Sequence, residues 1–336
     1  MTSPIQSQIQ IQIPRSAAFL FPGQGSQSVG MGKFLFDNFT QAQNIFEEAS
    51  DAVSINMKKL CFESDEKTLA LTENTQPALL TVCTATSLVI QKQFGVTASS
   101  TAGHSIGEYS SLVLSDVIKF TDAVRAVKFR GQAMQNAVPL GLGGMTATLG
   151  LNDAQTQFLC KWTEKNSGFK PVSPANYNCD GQIVISGNLK ALNWLKDHFK
   201  PEIFLENNLG EAQRCKLISL NVSAPFHSEM MKPAEDQMRT FLNEIPFGPA
   251  KISVIQNVHA QVETDANKLK ENLIRQVSAP VLWTQSMKAL KSLNHPVVIE
   301  AGNGSVLKGL LKKIDGEFFR VFSANNLEDL KCLERI

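Results

Sequence analysis

The sequence predicts an α/β fold in two parts, a larger α/β domain and a small subdomain inserted into it. Apolar runs that stop at glycine or proline alternate with helical patterns over most of the 336 residues, as expected where strands alternate with helices. Between about residues 140 and 220 the order becomes βαββαβ, which is the ferredoxin-like pattern. A chain of this length has room for a large domain with an insert.

The larger domain is predicted over residues 17–139 and 221–336. Its first strand is a short apolar run that ends at Pro22-Gly23, and the strand before the central glycine turn ends at Ala102. The helices predicted in its first segment cover residues 33–54, 76–94, 108–114 and 121–134.

The inserted subdomain is predicted over residues 140–220, after the glycine-rich stretch at 139–144. Its helices are predicted at 152–164 and 189–198. Its strands are predicted at 145–149, 174–178, 182–186 and 216–222, the last of which runs into the larger domain.

The composition is that of an ordinary folded protein and excludes some classes of function. Hydrophobic residues make up 43% and charged residues 19% of the chain, and the net charge is +1. Because proteins with a general affinity for nucleic acid usually carry a marked basic excess, no nucleic-acid partner is expected. The longest uncharged stretch, 74–91, contains Pro77 and many hydroxyl groups, so it predicts a buried helix and no membrane span.

Cysteine usage and the N-terminus favour a cytoplasmic protein. The six cysteines are scattered without a C-x-x-C pair, which argues against a zinc site and against a disulfide framework. Residues 1–16 alternate Ile with polar residues and lack the continuous apolar run of a secretory signal. We expect them to form a flexible extension.

The segment Gly103-His104-Ser105-Ile106-Gly107 matches the nucleophile elbow G-x-S-x-G. Glycines on both sides let the backbone double back tightly, which exposes the Ser105 hydroxyl beside the positive end of the following helix. The pentapeptide also occurs in ordinary glycine-rich turns, but the strand before it and the helix after it favour an elbow. The larger domain is therefore predicted to be α/β-hydrolase-like.

A serine nucleophile needs a base that takes its proton. A tight turn rarely lets His104 face its neighbour Ser105, and two other histidines fall at predicted surface positions. Sequence position alone does not separate His227 from His259 as the base. The candidates are His104, His198, His227, His259 and His295.

Several motifs lie in a fixed order between about residues 17 and 324. They are the segments 21–27, 103–109, 130–134, 221–227, 257–258, 275–276, 280–284 and 300–304. In sequence and order they closely resemble the malonyl-CoA:acyl carrier protein transacylases of fatty acid synthesis. Because the motifs cover nearly the whole chain, the resemblance is specific.

The resemblance implies a ping-pong reaction. Ser105 would attack the thioester of malonyl-CoA, and His227 would accept the serine proton and return it to the leaving thiolate. The phosphopantetheine thiol of acyl carrier protein would then take the malonyl group, with no bound cofactor and no metal. In this family a backbone carbonyl orients the histidine, and that position falls on Gln276. No catalytic aspartate is implied.

The resemblance also implies an oxyanion hole formed by the backbone N–H groups of Gln24 and Ile106. Fixed donors at a developing oxyanion lower the barrier by about 3 kcal/mol each. The alternative for this loop is a phosphate-binding loop, because Gly25 and Gly30 have the required separation. That alternative is disfavoured, since Met31 occupies the position of the required lysine.

Arg130 and Phe226 are the residues expected to select the acyl group. Arg130 projects from the apolar stripe of its helix, where a guanidinium needs a carboxylate partner. That partner is either a structural Asp or Glu or, as the resemblance implies, the free carboxylate of the malonyl group. Phe226 is expected to leave little room for an α-methyl group, the alternative being a core phenylalanine that never meets the acyl chain.

Three lysines of a C-terminal helix, Lys308, Lys312 and Lys313, are expected to meet an acidic carrier protein. The alternative is an ordinary solvated helix face. The sequence also leaves other functions open: a free-standing acyltransferase of a polyketide synthase, a serine esterase or thioesterase, and a non-catalytic scaffold that keeps the fold.

Overall fold

The computed structural model describes residues 15–212, 214–222 and 224–336. Residues 1–14 of the expected extension and Ser223 of the motif at 221–227 lie outside the described residues. The strands are β1 (Ser16–Phe21), β2 (Thr97–Gly103), β3 (Gly143–Leu149), β4 (Val172–Cys179), β5 (Gln182–Asn188), β6 (Lys216–Ser219), β7 (Ser253–Ile255), β8 (Val262–Glu263), β9 (Val297–Glu300) and β10 (Arg320–Ser323).

Helices cover most of the remaining described chain. They are α1 (Lys33–Asn38), α2 (Thr40–Val53), α3 (Met57–Phe62), α4 (Glu66–Ala70), α5 (Thr72–Phe94), α6 (Gly107–Leu114), α7 (Phe120–Asn136), α8 (Asp153–Ser167), α9 (Leu189–His198), α10 (Glu202–Glu206), α11 (Lys232–Asn243), α12 (Ala266–Arg275), α13 (Trp283–Ser292), α14 (Val306–Asp315) and α15 (Leu327–Cys332).

The larger of two sheets has six strands in the order β10-β9-β1-β2-β7-β8. All neighbouring pairs are parallel except the last, in which β8 runs antiparallel to β7. Strand β1 is buried on both faces, because helices cover both sides of the sheet. The predicted α/β class is confirmed.

The smaller sheet has four strands in the order β4-β5-β3-β6, and all its pairs are antiparallel. Helices α8 and α9 contribute Leu159 and Leu195 to a separate apolar core with Ile185 of β5 and Phe204 of α10. The strand and helix order from β3 to β6 follows the predicted βαββαβ pattern, with α10 added before β6.

Three elements differ from the sequence predictions. The helix predicted at 33–54 is divided at Phe39, which is extended with φ −136°, because the side chain of Asn38 donates to the Phe34 carbonyl and ends α1. The helix predicted to begin at residue 76 begins at Thr72, so Pro77 lies inside it. Strand β6 ends three residues early, since the Val222 N–H turns back to the Leu220 carbonyl.

Parallel pairing brings the loops of the candidate site to one edge of the large sheet. Phe21 at the end of β1 lies beside Gly103 at the end of β2, and β7 pairs on the other side of β2. The carboxyl ends of these strands therefore meet, which is where open α/β sheets form their sites. A bridge between Asn176 and Val281 holds the small sheet against the same edge.

Candidate active site

Ser105 lies in a sharp turn between β2 and α6. Its φ of 51° is in the left-handed region, a strained conformation for a residue other than glycine. A Cβ at Gly103 would overlap the Gly107 backbone, and one at Gly107 would overlap the Phe21 carbonyl. Only glycine at both positions lets the chain turn this closely, and the turn directs the Ser105 side chain into a cavity.

The hydroxyl of Ser105 meets the imidazole of His227. Oγ lies 2.7 Å from Nε2, and on the other side of the ring Nδ1 lies 2.9 Å from the Gln276 carbonyl oxygen and 3.2 Å from that of Ala279. Because carbonyl oxygens only accept, Nδ1 carries the proton and Nε2 is free to accept from the serine. His227 also has a left-handed φ, 56°, so both residues of this pair sit in strained backbone.

His227 is held in its neutral form. Burial, followed by the positive charge of Arg130, lowers the pKa of His227 from 6.5 to about 3. The ring is 4% exposed, so water does not offset these effects. A neutral imidazole with Nε2 toward a hydroxyl has the protonation state that a general base requires.

Arg130 lies on α7 and reaches the same hydroxyl, with Nη2 3.3 Å from Ser105 Oγ. Its other partners are amide oxygens: Nη1 donates to Gln76 Oε1 at 2.9 Å and Nη2 to Gln276 Oε1 at 3.0 Å. Of the two partners left open by the sequence, a structural Asp or Glu is absent, because within the described residues Arg130 forms no ion pair. Hydrogen bonds to neutral amides compensate the desolvation of the donors while the charge stays unpaired.

Glu108 and Asn257 form a buried support beneath the turn. The Glu108 carboxylate accepts the Asn257 backbone N–H at 2.8 Å and the Gln256 side-chain amide at 3.0 Å. Burial raises the pKa of Glu108 to about 7. The Asn257 side chain accepts the Ser105 N–H at 2.8 Å and donates to the Gly103 carbonyl at 2.7 Å, so it bridges the two ends of the turn.

The cavity in front of Ser105 has a volume of about 190 Å³. Gln24, Ile106 and Phe226 line it with Ser105, and Phe226 is 7% exposed. Within the described residues, the backbone N–H groups of Gln24 and Ile106 have no protein acceptor. Both are therefore available to a ligand in the cavity.

Of the other sequence candidates, His104 lines the cavity with its Nε2 2.9 Å from Asn178 Oδ1, and the others lie outside the cavity. His259 contacts Asn272 at 2.8 Å and does not line the cavity, which removes the ambiguity with His227. The three lysines are exposed on α14. Val306 and Leu310 of the same helix line a neighbouring cavity, which also includes Gln24, so the lysine helix borders the site.

Sequence reasoning missed four groups that contact the central residues. They are the side chains of Gln76, Glu108, Asn257 and Gln276. Two of these residues could have been noticed in the sequence. Gln76 is a polar residue directly before the apolar run of α5, and Glu108 is a charged residue directly after the elbow. The contacts of Asn257 and Gln276 join segments far apart in the chain, and no local pattern reveals them.

No group of His, Cys, Asp and Glu side chains in residues 15–212, 214–222 and 224–336 is arranged to hold a metal ion. Across the same ranges, every helix is too short or too polar to cross a membrane.

Comparison with known proteins identifies an acyl transferase pattern. The family described as "Acyl transferase domain" matches residues 18–314. The chain is 43% identical over 302 residues to the malonyl CoA-acyl carrier protein transacylase of Bacillus subtilis (strain 168), an alignment that covers 89% of this chain and 90% of the relative.

Solved structures resemble the fold over almost its whole length. The acyl-carrier-protein S-malonyltransferase from Burkholderia pseudomallei 1710b is 38% identical with a TM-score of 0.86, covering 96% of this chain and 100% of that one. A malonyl-transacylase solved in complex with a type II polyketide synthase acyl-carrier protein is 35% identical with a TM-score of 0.86, covering 96% and 99%.

Proposed function

Because this chain belongs to the acyl transferase family, we propose that it moves a malonyl group from malonyl-CoA to the phosphopantetheine thiol of acyl carrier protein. The relatives named above carry this activity in their names. The proposal rests mainly on one observation: a base, His227, and a cation, Arg130, both contact the hydroxyl of Ser105. Ser105 Oγ lies 2.7 Å from His227 Nε2 and 3.3 Å from Arg130 Nη2.

In the first half-reaction, Ser105 Oγ bonds to the thioester carbon as its proton passes to His227 Nε2. The carbon–sulfur bond then breaks, and the imidazolium returns the proton to the departing CoA thiolate. In the second half-reaction, the carrier-protein thiol gives its proton to His227 and its sulfur bonds to the ester carbon. The bond from that carbon to Ser105 Oγ then breaks, and the proton returns to Oγ. The carbonyl of Gln276 keeps the ring in the required tautomer.

The backbone N–H groups of Gln24 and Ile106 supply the oxyanion hole. Both residues line the cavity, and neither N–H is used by another group in the described chain. The N–H of Ser105 is not part of this hole, because it donates to Asn257. Two free donors match the requirement of a tetrahedral intermediate, whose oxygen carries the negative charge.

Arg130 binds the free carboxylate of the malonyl group. Its buried guanidinium contacts amide oxygens and no carboxylate, which favours an anionic acyl group over an acetyl group. Phe226, beside His227 on the cavity wall, limits the volume next to the malonyl carbon. Slow loading of methylmalonyl-CoA is the expected consequence.

The partner is an acyl carrier protein of fatty acid synthesis, and a carrier of polyketide synthesis is the second candidate. One of the similar structures is a malonyl-transacylase bound to a type II polyketide synthase carrier, and the chemistry is identical for both. The exposed lysines Lys308, Lys312 and Lys313 are the proposed contact surface for the acidic carrier.

We also propose a division of the chain into an α/β-hydrolase-like domain, 17–139 with 221–336, and a ferredoxin-like insert, 140–220. All strands of the small sheet fall between residues 143 and 219, and all strands of the large sheet fall outside that range. The four-strand order with paired helices supports the ferredoxin-like assignment.

Transfer to carrier protein distinguishes this function from a thioesterase. Purified malonyl-enzyme, freed of malonyl-CoA, is mixed with holo-carrier protein or with buffer, and the acyl group is followed by mass spectrometry. The proposal expects the malonyl group on the carrier and slow loss to water in buffer. Rapid loss to water that carrier protein does not outcompete would favour a hydrolase.

A further inference from the structure

The guanidinium of Arg130 is surrounded by uncharged groups. Gln76 and Gln276 supply amide oxygens, Ser105 supplies a hydroxyl, and the ring of Tyr109 lies 5.9 Å from the guanidinium carbon. Nε of Arg130 has no partner within the described residues, although the side chain is 1% exposed. The positive charge is thus buried without a contacting carboxylate, which is unusual because unpaired buried charge is costly.

Helices α5 and α7 show what the ordinary arrangement would be. One helical turn before Gln76, Glu73 pairs with Lys128 at 2.8 Å, two residues before Arg130 on α7. Between these two helices, the partly exposed Lys128 is therefore paired with a carboxylate, whereas the buried Arg130 is paired with a neutral amide. Glu108 attracts Arg130 electrostatically from a distance but does not contact it. The two Glu108 oxygens accept from Gln256 and Asn257 instead.

Gln76 is fixed in the orientation that serves Arg130. Its Oε1 accepts from Nη1 at 2.9 Å, while its Nε2 lies 3.9 Å from the sulfur of Met134. A guanidinium has only donors, so the amide oxygen must face it. Gln76 is 1% exposed and lines the cavity beside Ser105.

We propose that Gln76 is a specificity-determining residue whose neutrality keeps the charge of Arg130 available to the carboxylate of the acyl group. This inference rests on the proposed function. A glutamate of the same shape would form an ion pair with Arg130 and repel an incoming carboxylate. An uncharged acyl group would meet no such repulsion. Gln76 holds the guanidinium in place without pairing a negative charge with it.

The test compares Ser105 acylation rates with malonyl-CoA and acetyl-CoA in Gln76→Glu, Gln76→Met and Glu73→Gln. In Gln76→Glu the malonyl-to-acetyl ratio falls by about 100-fold, with the acetyl rate retained or raised. Gln76→Met removes the acceptor without adding charge, so its ratio falls by less than about tenfold. Glu73→Gln changes one charge on the same helix away from the site, and its ratio stays at the wild-type value.

Three outcomes would overturn the inference. Gln76→Glu could keep the wild-type malonyl-to-acetyl ratio, it could lose the malonyl and acetyl rates equally, or Gln76→Met could lower the ratio by as much as Gln76→Glu. Failure of the proposed function looks different, since wild-type Ser105 would then take up no malonyl group. Binding of free malonate needs no transfer chemistry and separates the two. Calorimetry on Ser105→Ala should detect malonate, and adding Gln76→Glu should abolish the signal.

Discussion

The side-chain oxygen of Asn257 accepts the backbone N–H of Ser105 at 2.8 Å. The amide nitrogen of the same side chain donates to the Gly103 carbonyl at 2.7 Å. These two bonds hold both ends of a turn in which Ser105 has a φ of 51°. Since a strained backbone persists only where its surroundings enforce it, the position of the hydroxyl depends on a residue 152 positions away in sequence.

Asn257→Ala should slow Ser105 acylation by about 10- to 100-fold, because small displacements of a nucleophile have large effects on rate. It should also destabilise the protein by about 2 kcal/mol through two lost buried hydrogen bonds. Stopped-flow acylation and chemical denaturation measure the two effects. Asn243→Ala, at an exposed helix end, is the control. A wild-type acylation rate in Asn257→Ala would show that the turn holds without this clamp.

Arg130→Ala should remove the preference for malonyl-CoA over acetyl-CoA, changing the ratio of their acylation rates by about 100-fold. The loss falls mainly on the malonyl rate, since acetyl makes no use of the charge. Arg125→Ala is the matched control, because its side chain is 56% exposed on the same helix. If Arg130→Ala kept the wild-type ratio, the carboxylate would have to bind elsewhere.

His227 should contribute no pH dependence to the rate of acylation as the pH falls from about 7 to about 5. A pKa lowered to about 3 leaves His227 unprotonated throughout this range, so the base remains competent, whereas a histidine at 6.5 would lose activity within it. The groups that face His227 are Arg130 and His104. Burst amplitudes and rates are measured in wild type and in Glu108→Gln.

The Glu108→Gln variant isolates His227, because Glu108 itself has a pKa raised to about 7. If the acylation rate changes with pH in wild type and not in Glu108→Gln, the change is caused by titration of the Glu108 carboxylate. A fall in the acylation rate centred near pH 6.5 in both proteins would contradict the neutral, buried state of His227.

Charge reversal at Lys308 and Lys312 should slow transfer to carrier protein by about tenfold at low salt and leave acylation by malonyl-CoA unchanged. The effect should fade at high salt, because these side chains are exposed. Lys161→Glu with Lys165→Glu is a matched pair of the same spacing at exposed positions of α8. Equal slowing by both pairs would mean that the proposed surface has no special role.

The sequence predicted those features that depend on local chain geometry. The glycines at 103 and 107 predicted the turn around Ser105, since no other residue fits there, and the apolar run that ends at Pro22-Gly23 predicted β1. It did not predict the break at Phe39, where the side chain of Asn38 donates to the Phe34 carbonyl. It left a structural Asp or Glu open as one of two partners for Arg130, because no local pattern shows that α5 brings Gln76 there.

The most direct test of the account is intact-mass analysis of the protein after mixing with malonyl-CoA, in wild type and in Ser105→Ala. We predict that wild type gains the mass of one malonyl group, located on Ser105 by peptide mapping, and that Ser105→Ala gains none. A wild type without the adduct, or an adduct of equal yield in Ser105→Ala, would contradict the claim that this hydroxyl carries the acyl group.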